Sequence, residues 1–357
     1  MPDKSGMYTL TLPEDRIAVF KRLNEEFKKN YSRDADYTCF SPGRLNIIGE
    51  HIDYCGGMVM PAAIDMGTYA VAAVNNRKEF RLRSLNFPET GSVSLSGADY
   101  QQKDGWLNYP KGIIYLLEKQ FPGFAQEGAD ILLYGTLPVG AGLSSSASLL
   151  LAVLSLLKEI YTVRFSDNSL EDMRETAFFA KRTENEYIGL NCGIMDQGSV
   201  VFGRKDCLML MDCSRLNVEY IPFRSGKYSL IIANTNKSRS LADSKYNIRK
   251  AESEQALSDV RSKYPLKDLC GLPASENKTA LALIKDETVQ TPRAHILTEN
   301  NRVFRAKEAL TAASAAVSAT ENLYIMVPAG PGGGWDQLGR AVDENLKKAG
   351  LIKNSTY

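Results

Sequence analysis

Histidine is almost missing from this chain: 357 residues contain two, His51 and His295. The six cysteines, Cys39, Cys55, Cys192, Cys207, Cys213 and Cys270, are widely scattered and form no CxxC pair. Together these shortages argue against a zinc centre and against a disulfide scaffold, and they favour reduced thiols in a cytoplasm. Excess charge is lacking too. With 43 basic and 42 acidic residues the net charge is +1, so the field of the whole chain draws in neither nucleic acid nor a membrane surface. The longest apolar run, Ala147 to Leu157, falls short of the roughly 20 residues that span a bilayer. The opening MPDKSGMYTL carries charge early and has no apolar core of a cleavable signal.

What is present is ordinary for a globular enzyme: 44% hydrophobic and 24% charged residues, in a chain long enough to bury a large core in two lobes. No internal repeat is visible. The most informative stretch is LPVGAGLSSSASLLLAVLSLLK, Leu137 to Lys158. A turn on Pro138, Gly140 and Gly142 leads through three serines into an apolar helix. Glycines let a backbone approach a ligand closely, and free N–H groups at a helix start favour an anion such as phosphate. Taken alone, the same pattern is equally a serine cap on a core helix. It is not a Walker loop, because no lysine follows the second glycine at the required place.

A second cluster lies in TCFSPGRLNIIGEHIDYCGGMVMPAAID, Thr38 to Asp65. Arg44, Asn46, Glu50, His51 and Asp53 crowd between strand-like apolar pieces and are closed by Gly56-Gly57. Charged groups so near apolar sequence are either paired with one another or used for function. A salt-bridged loop, with Arg44 neutralising Glu50 or Asp53, is the plainer alternative.

The remaining pattern predicts an amphipathic helix over Leu12 to Tyr31, with Ile17, Phe20, Leu23 and Phe27 on its apolar face. It predicts antiparallel strands within Tyr69 to Ser96, a helix over Trp106 to Phe121, and a strand at ADILLYGTLP leading to the glycine-serine loop. Asp167 to Glu186 reads as a helix that delivers a loop with Asn191, Gly193, Asp196 and Gln197. DCLMLMDCS and YSLIIANTN read as strands. A charged helix with Tyr246, Asn247 and Arg249 at its start follows, and ILTENNRVFRAKEAL is helical again.

Three separated segments, GRLNIIGEHIDYCGG, LPVGAGLSSSASL and CGIMDQ, resemble the signature set of the galactokinases within the GHMP small-molecule kinases. SKYNIRKAE and HILTENNRVFRA are similar to the same enzymes, so the likeness runs from about Tyr37 to about Ala309. It implies an α+β, two-lobed GHMP-kinase-like fold with the nucleotide in a cleft between lobes and an unusual left-handed βαβ unit. It also implies ATP-dependent phosphorylation of galactose at its anomeric hydroxyl, with ATP and Mg²⁺ as cofactors. The expected partners are galactose and ATP alone, with no nucleic acid and no membrane, and the expected state is a cytoplasmic monomer. N-acetylgalactosamine kinase, or a sensor that binds galactose and ATP without turnover, is the alternative.

Phosphoryl transfer needs phosphates held, charge neutralised and an acceptor hydroxyl aimed in line. The resemblance assigns Gly140, Gly142, Leu143, Ser144, Ser145 and Ser146 to the phosphate cradle, Ser146 and Glu184 to magnesium, and Trp106 to the neighbourhood of the adenine. A core-packing role for Trp106 is equally open. Asp196 matches the catalytic aspartate and Arg44 its partner. An ordinary aspartate is a weak base, so Asp196 is read as an orienting acceptor that takes the proton late, while Arg44 stabilises developing charge. Glu50, His51, Asp53, Gly193 and Tyr246 would bind sugar hydroxyls.

The resemblance fails in the last fifth. The family's third, glycine-rich motif is not found, and ALTAASAAVSA leads instead to ENLYIMVPAGPGGGWDQLGRAVDENLKKAG. That tail, with a strand expected at Tyr324 to Val327 and the run Gly332-Gly333-Gly334 before Trp335-Asp336, resembles the start of a periplasmic receptor of the tripartite tricarboxylate transporters. The expected organisation is a kinase lobe over 1–203, a partial second lobe over 204–310 and a foreign tail over 311–357. Such a replacement would leave unpaired sheet edges and exposed apolar surface.

Overall fold

The computed structural model describes residues 14–138, 140–223, 231–234, 245–284, 287–315 and 326–329. In chain order α1 (Arg16–Tyr31), β1 (Tyr37–Asn46), β2 (Met58–Val59), β3 (Pro61–Asn75), β4 (Glu79–Ser84) and β5 (Gly91–Ser94) precede α2 (Asn108–Gln120) and β6 (Gly128–Gly135). Then come α3 (Ser145–Ile160), α4 (Ser169–Arg182), α5 (Met195–Phe202), β7 (Cys207–Asp212), β8 (Asn217–Pro222) and β9 (Ile231–Asn234). The rest are α6 (Lys245–Arg261), α7 (Asn277–Leu283), α8 (Glu287–Ala315) and β10 (Met326–Ala329). This mixture of segregated sheets and helices is the α+β architecture expected.

The first sheet has the order β1-β3-β6-β4-β5. Its neighbours are antiparallel except β4 and β6, a parallel pair whose connection passes through α2. Strand β3 explains how the layers stack. Successive side chains of a strand point to opposite faces. Tyr69, Val71 and Ala73 accordingly pack on one side against Val19, Leu23 and Phe27 of α1. Ala70 and Ala72 point to the other side, where α2 and α3 supply Ile113, Ile114, Leu117, Leu150, Val153 and Leu157. Both faces are covered, so the strand reads as a continuous apolar run.

Helix α1 differs from its expected face. The Asp15 side chain caps it by accepting from the Ile17 N–H at 3.0 Å, and the row Val19, Leu23, Phe27 turns inward while Ile17 is 80% exposed. Position 17 lies roughly 200° around the helix from position 19 and cannot share its face. Strand β8 was not anticipated; its alternating half-buried pattern, with Pro222 at its end, is weak as a periodic signal.

Helix α3 is apolar on nearly every side because β1, β3, α2, α4 and α5 surround it. Ser148, fully buried within it, is satisfied three times: it donates to the Ser41 carbonyl at 2.7 Å, accepts from the Thr68 N–H at 3.0 Å, and lies 2.9 Å from the Thr68 hydroxyl. The helix is thereby pinned to β1 and β3.

A second core collects Ile52, Val59, Met60, Ile194 and Met195 with residues of β7, α6, α7 and α8, beside the small sheet β2-β7-β8. Helix α8 continues through Leu310 to Ala315. Beyond it, the expected strand at 324–327 is described as β10, which pairs in parallel with β9, so one edge expected to be open carries a partner. Gly332 to Asp336 lie outside the described residues. Among the described residues no helix is long and apolar enough to cross a membrane.

Candidate active site

The glycine-serine stretch folds as a left-handed loop rather than a serine-capped helix start. Gly140, Gly142 and Ser144 have φ of +74°, +72° and +59°, a region costly for residues with a Cβ. Ser144 precedes α3 but makes no side-chain cap, and its buried hydroxyl has no partner among the described residues. Ser145 and Ser146 are half-buried rather than sealed in the core. The loop therefore ends with N–H groups at the N-terminus of α3, where an anion is favoured.

A bulge in β1 between Pro42 and Arg44 re-aims the chain as it passes this loop. The Arg44 N–H donates to the Leu143 carbonyl at 3.2 Å, and Nη1 donates to the Gly142 carbonyl at 2.5 Å. Arg44 Nε donates to Asp196 Oδ1 at 2.9 Å, and Nη2 bonds the same oxygen. One guanidinium thus joins the glycine loop to the aspartate, the pairing expected from sequence. The expected alternative pairing with Glu50 or Asp53 does not occur among the described contacts: Glu50 instead accepts from Asn46 Nδ2 at 2.9 Å. Asp196 lies in the first turn of α5 rather than in a loop, because Met195, Val200 and Phe202 bury a short apolar face there.

Glu184 arrives by a different device. Helix α4 widens into a π turn, Thr183–Ile188, of the kind that often marks functional sites. The turn leaves Glu184 only 3% exposed. Its carboxyl is hydrogen-bonded by Ser146 and Gln197 and by the Cys192 thiol at 3.3 Å. Burial, and next the charge of Asp196, push its pKa up to about 7 against those hydrogen bonds. A carboxylate and a hydroxyl side by side, with the buried Gln197 Oε1 nearby and without a partner among the described residues, form an oxygen donor set that suits a hard divalent cation sharing its shell with water and phosphate. No group of three or more His, Cys, Asp or Glu side chains with metal-binding spacing occurs among the described residues.

The loop from Gly49 to Met58 carries the other expected contacts. Asp53 sits so close to Gly193 that a Cβ there would lie 1.8 Å from Asp53 Oδ2; the glycine is what allows the carboxylate its place. Burial raises the Asp53 pKa to about 6, helped by the charges of Asp196 and Glu50 and opposed by the N–H groups of Tyr54 and Met195. His51 adopts φ +61°, and its Nδ1 lies 3.4 Å from the Tyr54 hydroxyl. Glu50 is exposed. Tyr246 falls in the first turn of α6, and its side chain lies outside the described residues. Trp106 is half-buried, stacks on the exposed Phe87 with ring centroids 6.1 Å apart, and its buried Nε1 has no partner among the described residues. Sequence reasoning did not single out Asn46, Cys192 or Gln197 as contacts of these carboxylates, nor the α8 residues Glu299 and Asn300. All five lie inside segments that carry the family resemblance, GRLNIIGEHIDYCGG, CGIMDQ and HILTENNRVFRA, and that membership was the available signal.

Comparison with known proteins identifies the family of the chain. The galactokinase galactose-binding signature matches residues 25–74, and the GHMP kinases N terminal domain matches residues 108–204. A galactokinase of Clostridium tetani (strain Massachusetts / E88) is 42% identical over 285 residues, 80% of this chain and 71% of that protein. One of Enterococcus faecalis (strain ATCC 700802 / V583) is 42% identical over 292 residues, 81% and 73% of the two chains. The crystal structure of Lactococcus lactis galactokinase complexed with galactose matches with a TM-score of 0.76 and 36% identity, covering 83% of this chain and 75% of that one. Such agreement over most of the length of each chain means that this protein belongs to the galactokinase family of GHMP kinases.

Proposed function

We propose that this chain transfers the terminal phosphoryl group of ATP to the anomeric hydroxyl of galactose, as a cytoplasmic monomer with free cysteines. The observation that supports this most directly is the bridge made by Arg44 between the Gly142 carbonyl and Asp196, because it joins the loop read as a nucleotide cradle to a candidate proton acceptor. Gly140, Gly142, Leu143, Ser144 and Ser145 hold the phosphates through N–H groups and hydroxyls. Glu50, His51, Asp53, Gly193 and Tyr246 line the sugar, and Trp106 with Phe87 flanks the base.

Ser146 and Glu184 would hold magnesium, which when bound neutralises charge on the transferring phosphates. Arg44 stabilises charge that grows on the moving group. Asp196 accepts a hydrogen bond from the sugar hydroxyl, orients it in line, and takes its proton late. In this reading residues 1–203 form the lobe with both loops, 204–310 a partial second lobe and 311–357 a separate tail.

The test is a coupled ADP assay on the purified chain with Mg-ATP and galactose, N-acetylgalactosamine or glucose side by side. Galactose is expected to drive turnover best, and Asp196→Ala to lower it roughly 10²–10⁴-fold. Tight galactose binding without ADP release would replace the kinase with a sensor. Preference for N-acetylgalactosamine would change the substrate. Unaltered turnover in Asp196→Ala would remove that residue from the reaction.

A further inference from the structure

The loop from Gly49 to Met58 is unusual in where its backbone finds hydrogen bonds. Gly49, His51 and Gly56 have φ of +100°, +61° and +71°, so the segment departs repeatedly from conformations that L-residues prefer. Some of its bonds are local: Gly57 N–H to the Ile52 carbonyl at 2.9 Å and Met60 N–H to the Ile48 carbonyl at 3.0 Å. Three backbone groups are instead met by side chains of α8. Glu299 Oε1 accepts from the Gly49 N–H at 2.9 Å. Asn300 Oδ1 accepts from the Met58 N–H at 2.8 Å. His295 Nε2 lies 2.8 Å from the Glu50 carbonyl.

Positions 295 and 299, one turn apart, share one face of the helix, and Asn300 lies about 100° further round. They are themselves held. Arg302 Nε donates to Glu299 Oε2 at 2.6 Å, its Nη2 lies 3.4 Å from His295 Nδ1, and its Nη1 donates to Thr298 Oγ1 at 3.1 Å. A guanidinium can only donate, so Nδ1 of His295 is the acceptor and Nε2 carries the hydrogen given to the Glu50 carbonyl. Asn300 Nδ2 donates to the Cys270 carbonyl at 3.4 Å. Glu299 is 6% exposed, and a buried carboxylate so fully engaged fixes its partner's place.

We infer that Glu299, Asn300 and His295 are positioning residues for the sugar pocket: α8 sets the geometry of the loop that bears Glu50, His51 and Asp53, and so controls sugar affinity without controlling nucleotide affinity. The inference rests on the reading of that loop as the sugar site. The separation follows from what holds each loop. The phosphate loop is fastened by Arg44 to Gly142 and Leu143, and α3 by Ser148 to β1 and β3; none of these bonds passes through α8.

Two measurements on the full chain test this and keep it apart from the functional reading. Hydrogen exchange needs no ligand: Glu299→Ala should speed exchange of the Gly49 and Met58 amides about tenfold or more while 137–148 keep their protection. Unchanged exchange at Gly49 and Met58, or equal loosening of both loops, overturns the clasp. In steady-state kinetics Glu299→Ala and Asn300→Ala should raise the galactose KM about tenfold or more with the ATP KM within about twofold. Glu299→Gln, which keeps an acceptor for Gly49, should recover part of the loss. Equal rises in both KM values, or no recovery in Glu299→Gln, would mean general damage and sink the inference. Should the wild-type chain fail to bind galactose while exchange still reports the clasp, the sugar assignment falls and the support of the loop by α8 stands.

Discussion

The loop we propose for phosphate and the loop we propose for sugar, called the phosphate loop and the sugar loop below, lie on either side of Arg44 and Asp196 but are built by opposite strategies. The phosphate loop has its shape written into it: left-handed Gly140, Gly142 and Ser144, followed by a helix whose apolar face is sunk in the first core. The sugar loop borrows its shape from a helix about 250 positions away in the chain, through Gly49 and Glu299. A loop of the first kind tolerates change elsewhere in the molecule. A loop of the second kind transmits it, since any shift of α8 moves three backbone contacts together.

Substitutions that separate the two ends turn this contrast into measurements. The largest effect is expected at Gly193. A methyl group there would stand 1.8 Å from Asp53 Oδ2, so Gly193→Ala must drive the carboxylate more than about 1 Å from its place, which costs roughly a hundredfold in a positioned site. Galactose KM should rise by that order while ATP KM holds. A parallel rise of both constants would show that the two ends are not separable.

Ser148→Ala probes the opposite end. It would strip the Thr68 N–H and the Ser41 carbonyl of a buried partner, at a cost of about 1–3 kcal/mol. The expected signature is a lower melting temperature and a few-fold weaker ATP KM, with galactose KM unchanged. If galactose binding suffered more than ATP binding, α3 would have to be assigned to the sugar side.

The same contrast explains what could be read from the amino-acid sequence. Glycines, serines and an almost wholly apolar run announce the phosphate loop and α3, because backbone conformation and burial there are local demands. The sugar loop was legible by its crowded polar residues and family likeness, yet its clasp was not: Glu299 and Asn300 look like any polar pair on a helix, and only the approach of a distant loop gives them work. Glu184 was assigned by resemblance, whereas the π turn that buries it leaves no periodic trace. Asp196 was placed in a loop because α5 spans only eight residues, Met195–Phe202, too few for a helical period to show. Ile17 was assigned to the buried face of α1 because apolar residues alone do not reveal which of two overlapping rows the sheet will cover.

The smallest effect is also the most discriminating, since one group should act with opposite signs on binding and stability. Asp53 has its pKa raised to about 6 by burial, against about 3.9 in an unfolded chain. Between those values the folded protein holds more protons than the unfolded one, so Asp53 adds stability below about pH 4 that is lost as pH rises through 6. For the sugar the sign reverses. The carboxylate is the stronger acceptor, and replacing a charge-assisted hydrogen bond by a neutral one should weaken galactose roughly threefold as pH falls from 7 to 5. Asp53→Asn should remove both trends: a galactose KM independent of pH over that range, and a melting temperature that gains on the wild type's as pH rises from about 4 to 6, because the variant lacks the stability the wild type loses there. The ATP KM, governed from the far side of Arg44, should show neither. A wild-type galactose KM that stays level from pH 7 to 5 would detach Asp53 from the sugar and leave its elevated pKa a matter of burial and of its acidic neighbours alone.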